Sequence, residues 1–342
     1  MSSYKMRVTA CLKWIFLQVG VYAVIRKLFP RRAVAVLRYH AVCAAPCTYA
    51  SRSICVTPEA FRRHLRYLTA RYPVLPLHEA VERLQKGERL PVNTIAITFD
   101  DGYHDNYLAF RILQEYGATA TFFLTTNCID DREIFWVSEV RHLILQTART
   151  RFALDVQTVS HHFELTSPAQ RETAVSVVTR LLKSCTIAER EAVREALRTA
   201  LDDVDATFED GPLMLSSDQI REMLAGGMTI GGHTLSHCNL PSAGLQDAAY
   251  ELTECRHDLL RRFGLATAAM AYPNGGANAY VTDEVQRLAQ EAGYSSAWTS
   301  AHGYVTADTD WYRGPRIAVR ESLAALIHLL EVDRLFSSRT TA

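Results

Sequence analysis

Two adjacent carboxylates, Asp100 and Asp101, lie in the short motif TFDDG at residues 98–102. Residues 93–97, just before them, are mostly apolar and β-branched, which predicts a buried strand. Residues 107–116 have the apolar spacing of an amphipathic helix. The pair is therefore expected at the carboxyl end of a strand, where parallel α/β enzymes place their catalytic groups. An Asp-Asp-Gly turn is also common without any function, so this motif alone leaves both interpretations open.

Two histidines, His233 and His237, follow a short predicted strand at residues 228–232. Together with one carboxylate of the Asp pair they could form a His₂Asp metal site with open positions for water and substrate. Such donors suit zinc or another first-row divalent ion, which acts as a Lewis acid and lowers the pKa of a bound water. The other carboxylate could then accept the proton of that water. Because Gly231 and Gly232 precede the histidines, we expect the pair in a loop rather than on a helix surface.

The composition is typical of a globular protein, with 342 residues, 48% of them hydrophobic and 22% charged. The formal net charge is zero, so no overall charge favours nucleic acid and none is expected as a partner. Eight cysteines occur without CxxC pairs, and no zinc-ribbon or redox motif is predicted. Cys43 and Cys47 are close enough for a disulfide, but in a chain of this size we favour free thiols, which indicate the cytoplasm.

The N-terminal segment, residues 1–32, contains seven basic residues and no acidic one. Residues 14–25 form an almost entirely apolar run, shorter than the roughly 20 residues of a spanning helix. No small-residue cleavage site follows, so a removed signal peptide is not expected. We predict an interfacial helix that contacts a membrane surface through residues 10–32; docking on the protein's own core is the alternative. The expected location is the cytoplasm or the inner face of the cytoplasmic membrane.

Strands alternate with helices along the rest of the chain, which predicts parallel βα units. Strands are expected at residues 33–39, 93–97, 118–125, 228–232, 268–272, 295–299 and 316–319. The alternation stops at about residues 128–212, where helical spacing predicts a helical insertion. This insertion contains no evident catalytic residues, and could be a lid, a wall of a substrate cleft or an interaction surface.

The TFDDG motif, followed far downstream by His233-Thr234-x-x-His237, resembles the polysaccharide deacetylases of carbohydrate esterase family 4. The resemblance covers residues 33–335, with the insertion least covered. It implies an α/β fold, a distorted (β/α) barrel of fewer than eight regular strands, and a hydrolase that removes N-acetyl groups from amino sugars. It also implies that Asp100 is the general base, and that Asp101, His233 and His237 hold Zn²⁺ or another first-row divalent metal such as Co²⁺ or Ni²⁺.

A third element of this family, usually Arg-x-Pro-aromatic-Gly, resembles residues 271–275. Asn274 stands at the aromatic position, and a backbone N–H of its loop is implied to help stabilise the oxyanion. Ala271 stands where the family has an arginine that orients the base. Arg316 is our predicted replacement for that arginine; an ordinary arginine beside a strand is the alternative.

The motif LRYH at residues 37–40 resembles the permuted branch of the family, which includes poly-β-1,6-N-acetylglucosamine deacetylases. It implies that His40 protonates the leaving amine. A Leu-x-His match at His328 lies in a predicted helix and is not favoured. The expected function is N-deacetylation of a cell-envelope or exopolysaccharide glycan or its lipid-linked precursor. The alternatives are an O-acetyl carbohydrate esterase and, because the arginine at position 271 is missing, a catalytically silent glycan-binding protein.

Overall fold

The computed structural model describes residues 3–44, 47–205, 208, 211–267, 269–274, 280–333 and 335, with side chains described from residue 8 onward. Its strands are β1 (Ala35–Tyr39), β2 (Ala41–Val42), β3 (Cys55–Val56), β4 (Ile95–Phe99), β5 (Thr121–Leu124), β6 (Arg151–Val156), β7 (Val159–Glu164), β8 (Thr229–Gly232), β9 (Ala269–Ala271), β10 (Ser296–Trp298) and β11 (Ile317–Ala318). Its α-helices are α1 (Ser3–Gln18), α2 (Val21–Leu28), α3 (Pro58–Thr69), α4 (Leu77–Gln85), α5 (Asn106–Glu115), α6 (Trp136–Gln146), α7 (Pro168–Lys183), α8 (Ile187–Ala200), α9 (Ser217–Ala225), α10 (Leu240–Ala243), α11 (Leu245–Phe263), α12 (Asp283–Glu291) and α13 (Leu323–His328).

Seven strands of the described residues form one parallel sheet in the order β10-β9-β8-β5-β4-β1-β11. Every residue of β4 is buried, as expected for a central strand covered on both faces. The two edge strands approach each other: the N–H of Thr299 donates to the carbonyl of Gly314, and the N–H of Arg316 donates to that of Ala301, both at 2.8 Å. The sheet therefore curls into the distorted (β/α) barrel that the sequence predicted.

Alternate residues of the strands face the outer helices and the barrel interior. On the outer side, Phe99 stacks on Phe122 with ring centroids 4.7 Å apart, within a core shared with α3 and α5. The interior is an apolar layer that includes Phe123 and Trp298. The guanidinium carbon of Arg316 lies 5.6 Å from the centre of the Phe123 ring, so polar groups at the top of the barrel rest directly on this layer.

The insertion contains three helices, α6, α7 and α8, but it is not wholly helical as predicted. Strands β6 and β7 form an antiparallel hairpin, and buried and exposed residues alternate along β6. The hairpin and the three helices share a hydrophobic cluster of their own. Gln157 and Thr158, between the strands, have φ values of 47° and 69°. Asn-Gly pairs usually adopt this backbone, so the turn lacks its ordinary sequence signal.

The N-terminal apolar run forms two helices, not the single one predicted. Gly20, between α1 and α2, has a φ of 78°, and the helices meet at a bend of 69°. Among the described residues no single helix is long and apolar enough to cross a membrane, although this bent pair passes that test by length and composition.

One face of the bent pair is docked on the barrel domain. Tyr22 is fully buried, and its hydroxyl lies 3.1 Å from Nδ1 of His328 on α13. The opposite face is apolar and exposed, with Trp14, Phe16, Val19, Val24, Leu28 and Phe29 on its surface. The buried face agrees with docking on the protein's own core, and membrane contact by the exposed face stays a prediction.

Candidate active site

The residues singled out by the sequence meet at the carboxyl edge of the parallel sheet. Asp100 and Asp101 directly follow β4, His40 follows β1 and His233 follows β8. Parallel strands end at one edge, which is why residues far apart in the chain come together there. Arg316 precedes β11, and its long side chain reaches the same place. Asp100, Asp101, His233 and Arg316 are all buried.

Asp101, His233 and His237 form a cluster of metal-ligand type. Oδ1 of Asp101 lies 3.3 Å from Nε2 of His233 and 3.4 Å from Nε2 of His237. The three donor atoms all lie within 4.8 Å of one another, and the three residues are buried. One carboxylate and two imidazoles leave positions open for water and substrate, which is the donor set of catalytic zinc sites.

The hydrogen bond of His233 fixes the nitrogen that faces this cluster. Nδ1 of His233 lies 2.7 Å from the carbonyl oxygen of Ala271. A carbonyl only accepts, so Nδ1 carries the proton and Nε2 is the nitrogen that faces Asp101. Burial lowers the pKa of His237 to about 4 although Asp101 opposes the shift, so this imidazole is neutral at pH 7. That is the form in which histidine binds a divalent cation.

The loop that carries the two histidines is held by Glu251 of α11. The buried Glu251 carboxylate accepts hydrogen bonds from the N–H groups of Leu235 and Ser236, at 2.8 and 2.9 Å, and from the Ser236 hydroxyl at 2.5 Å. The sequence analysis missed this residue, because a single glutamate on an amphipathic helix carries no motif. It fixes the spacing between His233 and His237.

Three residues of the site have left-handed backbone: Asp101, Thr234 and His237, with φ values of 76°, 64° and 54°. This region is sparsely populated by residues other than glycine, and least by β-branched ones such as threonine. Such backbone persists only where its surroundings determine it. Here the N–H of Thr125 donates to the carbonyl of Asp101, and the N–H of Thr126 to that of Thr234. The end of β5 therefore fixes both ligand-bearing turns.

Gly231 and Gly232 belong to β8, within the predicted strand at residues 228–232, and the two histidines follow in a loop as predicted. A Cβ on Gly231 would lie 2.5 Å from the Phe123 ring, and one on Gly232 would lie 2.6 Å from the Tyr294 hydroxyl. Both positions require glycine because a side chain would collide with these neighbours, not because the backbone turns. The loop begins at His233.

Arg316 holds Asp100 by both oxygens. Its Nη1 and Nη2 donate to Oδ1 and Oδ2 at 2.6 and 2.7 Å, and its Nε donates to the carbonyl of Thr299 at 2.8 Å. Burial alone would raise the pKa of Asp100, but the charges around it, Arg316 foremost, lower it to about 2. Asp100 is therefore ionised at neutral pH although it is buried.

His40 lies beside the same carboxylate. Its Nε2 is 3.9 Å from Oδ2 of Asp100, and its side chain keeps 16% of its surface exposed. The carbonyl of His40 accepts a hydrogen bond from Nδ2 of Asn106 at 2.8 Å. Burial lowers the pKa of His40 to about 4, against the opposing effect of Asp101 and Asp100. The imidazole is thus neutral at pH 7, and its protonated form gives up a proton more readily than an ordinary imidazolium does.

Asn274 is not tied to the cluster by any contact. It is buried three residues beyond Ala271, and its Nδ2 has no hydrogen-bond partner within the described part of the chain. Gly275, the last residue of the motif, lies outside the described residues. The His233 bond to Ala271 shows only that this loop starts at the site.

The insertion forms one wall next to the site. A cavity of about 390 Å³ lies between the barrel and the insertion, and Tyr103, Lys183 and Tyr280 line it. Tyr103 is two residues from Asp101, and Lys183 ends α7. Of the roles considered for the insertion, the cleft wall is the one this cavity supports.

Comparisons with known proteins agree with this arrangement. The family model for polysaccharide deacetylase matches residues 87–297, well over half of the chain. YxkH of Bacillus subtilis (strain 168) is 21% identical over 291 residues, which are 84% of this chain and 72% of YxkH.

Among solved structures, the Streptococcus pyogenes deacetylase PplD in complex with acetate superposes with a TM-score of 0.58 at 19% identity, covering 87% of this chain and 97% of PplD. IcaB from Ammonifex degensii gives 0.56 at 19% identity, covering 88% of this chain and 98% of IcaB. At this identity these likenesses establish the fold.

Proposed function

We propose, because the chain belongs to the polysaccharide deacetylase family, that it is a metal-dependent N-deacetylase of amino sugars. Membership establishes a hydrolase that removes acetyl groups from glycans. The observation that carries the finer proposal is the ionised Asp100, held by Arg316, directly beside the cluster of Asp101, His233 and His237.

The chain provides a separate residue for each proton that the reaction moves. A divalent cation held by Asp101, His233 and His237 would supply a Lewis acid for the acetyl carbonyl and a lower pKa for the attacking water. Asp100 is ionised and is not one of the proposed metal ligands, so it takes the proton of that water as general base. Arg316 fixes the plane of the carboxylate, and each carboxylate oxygen keeps a further lone pair for the proton.

His40 then acts as the general acid. Its Nε2 lies 3.9 Å from Oδ2 of Asp100, so a proton taken up by Asp100 is close to the imidazole. Because the pKa of His40 is about 4, its protonated form readily gives the proton to the departing nitrogen. The Asn274 loop is our proposed source of an N–H for the oxyanion.

We propose as substrate an N-acetylated amino-sugar glycan of the cell envelope or an exopolysaccharide, or its lipid-linked precursor. The cavity beside Tyr103, Lys183 and Tyr280 is large enough for sugar rings, and aromatic side chains provide apolar faces on which sugars can pack. Membership of the polysaccharide deacetylase family supports a polymer over a free monosaccharide.

The test is acetate release by the purified protein with Zn²⁺ from N-acetylhexosamine oligomers, polymers and lipid-linked sugars. We expect release from at least one of them, and loss of release in Asp100→Asn. Absence of release from every such glycan would contradict the proposal. Measuring the same sugar in N-acetylated and O-acetylated form separates an amidase from an esterase. The silent glycan-binding alternative loses its motive, since Arg316 makes the contact with Asp100 that the missing arginine was expected to make.

We also propose that the pair α1–α2 contacts the inner face of a membrane. Its outer face exposes Val19, Trp14 and Phe29 at 67%, 57% and 54%, and basic residues lie at both ends of the run. Apolar exposure combined with basic flanks favours anionic lipid surfaces.

Co-sedimentation with anionic lipid vesicles tests this proposal. We expect the wild-type chain to bind, and Trp14→Ser with Val19→Ser to bind at least tenfold more weakly. Val159→Ser, an exposed residue of the insertion, is the matched control and should bind as the wild type does. Equal binding by all three proteins, or none by the wild type, would refute it.

A further inference from the structure

Three cysteines that are separated in the sequence converge in space. The Sγ atoms of Cys43, Cys47 and Cys55 all lie within 4.8 Å of one another, and the three residues carry free thiols. Their spacing, C-x₃-C-x₇-C, matches none of the motifs sought in the sequence. They share no residue with the Asp101 cluster.

We propose that these three cysteines bind a thiophilic divalent cation, Zn²⁺ foremost, as a structural site distinct from the catalytic one. Thiolates about 2.3 Å from a tetrahedral zinc lie about 3.8 Å apart, and the three sulfurs, all within 4.8 Å of one another, are close enough to share one ion. Thiolate donors select zinc over the hard cations magnesium and calcium.

The backbone holds the cysteines in this arrangement without help from a cation. Parallel strands β2 and β3 pair Ala41 with Cys55, and the N–H of Cys43 donates to the carbonyl of Val56 at 3.1 Å. Cys43 and Cys55 are thus fixed at the ends of a short ladder. Cys47 lies in the loop between the strands, and its sulfur is close to the other two. Because the site is preformed, binding of a cation would require little further ordering of the chain.

The cluster is open on one side. Cys43 and Cys47 line a cavity of about 640 Å³, together with His104. Nδ1 of His104 is buried and has no hydrogen-bond partner among the described residues. His104 is therefore our candidate for a fourth ligand, which would give the Cys₃His donor set of many structural zinc sites.

The position of the cluster indicates its role. Cys43 is three residues from His40, and the loop closed by the cysteines also holds Tyr49. The Tyr49 hydroxyl donates to Asp105 at 2.5 Å, and its ring centroid lies 5.3 Å from that of Tyr103, which lines the cleft. A cation at the cysteines would therefore stiffen the wall on which the catalytic His40 and the cleft residue Tyr103 rest.

Cobalt substitution separates this site from the catalytic one. The full-length protein is purified under reducing conditions, stripped of metal and titrated with Co²⁺ alone. We expect a near-ultraviolet sulfur-to-cobalt absorption, which histidine and carboxylate ligands do not give, and which saturates once both sites are filled, at two equivalents. Asp101→Asn should keep this band while losing acetate release, so failure of either proposal is seen independently of the other.

Cys43→Ser and Cys55→Ser should lose the band, whereas Cys11→Ser, whose side chain is exposed on α1, should keep it. If those variants do not fold, alkylation of the wild-type chain serves instead: Zn²⁺ should protect Cys43, Cys47 and Cys55 at least tenfold over the metal-free protein. Absence of the band, absence of protection, or a Cys43–Cys47 disulfide in the protein isolated from reducing cells would overturn the proposal.

Discussion

Arg316 and Asp100 form a buried bidentate ion pair between strands that are not neighbours in the sheet. Asp100 follows β4 and Arg316 precedes β11, with β1 between them, and the contacts are 2.6 and 2.7 Å. Ala271, where the family motif has its arginine, offers only a carbonyl to His233. Asp100, the proposed base, is thus oriented from the opposite side of the barrel, and the pair explains how a buried carboxylate stays ionised.

Arg316→Met should raise the pKa of Asp100, because the largest attractive charge is removed while burial remains. A protonated Asp100 cannot accept a proton, so the acid limb of kcat/KM should move to higher pH and activity at neutral pH should fall about a hundredfold. Arg316→Lys keeps the charge but not the two parallel bonds, so its effect should be intermediate. The measurement is the pH profile of acetate release for the wild type, Arg316→Met and Arg316→Lys.

Arg313→Met is the control for this series, since Arg313 pairs with the exposed Asp283 near the protein surface. Its profile should match that of the wild type. An unchanged acid limb in a folded Arg316→Met protein would show that Arg316 does not act through Asp100.

His40→Asn should separate substrates by their leaving groups. An amine must be protonated to leave, whereas an aryloxide leaves without help, so only the amide reaction needs the general acid. We expect about 10²–10⁴-fold loss of kcat on N-acetylated glycans and a much smaller loss on an aryl acetate. Asp100→Asn should lose both activities. Equal losses of both activities in His40→Asn would instead assign His40 a role in positioning Asp100.

Glu251→Gln should weaken metal binding without touching a ligand. The amide keeps the shape of the carboxylate but loses its charge and one acceptor. If its oxygen accepts from the N–H groups of Leu235 and Ser236, its nitrogen cannot accept from the Ser236 hydroxyl. Loss of outer hydrogen bonds typically lowers metal affinity about 10- to 100-fold. Glu254→Gln, on the outer side of the same helix and bonded to Arg261, should leave the affinity unchanged. Chelator competition gives both values, and equal values would disprove the proposed role of Glu251.

The sequence predicted the parts of the site that follow a strand with a clear local pattern. Asp100 and Asp101 directly follow β4, which is wholly buried, and His233 directly follows β8. Parallel connection brings such ends to one edge, so their meeting followed from topology. Arg316 was predicted to orient Asp100 because the family's arginine is missing at position 271. The structure shows the contact between Arg316 and Asp100, and the experiments above test its effect on catalysis.

The missed features depend on contacts that no local pattern encodes. Glu251 acts on a loop preceding its own helix, and Gly231 is required by the Phe123 ring of a neighbouring strand. The three cysteines converge only because β2 pairs with β3. The hairpin of β6 and β7 did have a readable signal, the alternation along β6. The hairpin was not predicted because its turn, at residues 157–158, lacks a typical turn sequence.

The most direct test of the account is metal content measured beside acetate release in Asp100→Asn and Asp101→Asn, with Cys43→Ser in both backgrounds so that only the catalytic site is counted. Asp100→Asn should retain one equivalent of Zn²⁺ and release no acetate, since Asp100 moves a proton and binds no cation. Asp101→Asn should lose both the metal and the activity. Wild-type metal affinity in Asp101→Asn, or loss of metal in Asp100→Asn, would contradict the division of labour between the two carboxylates.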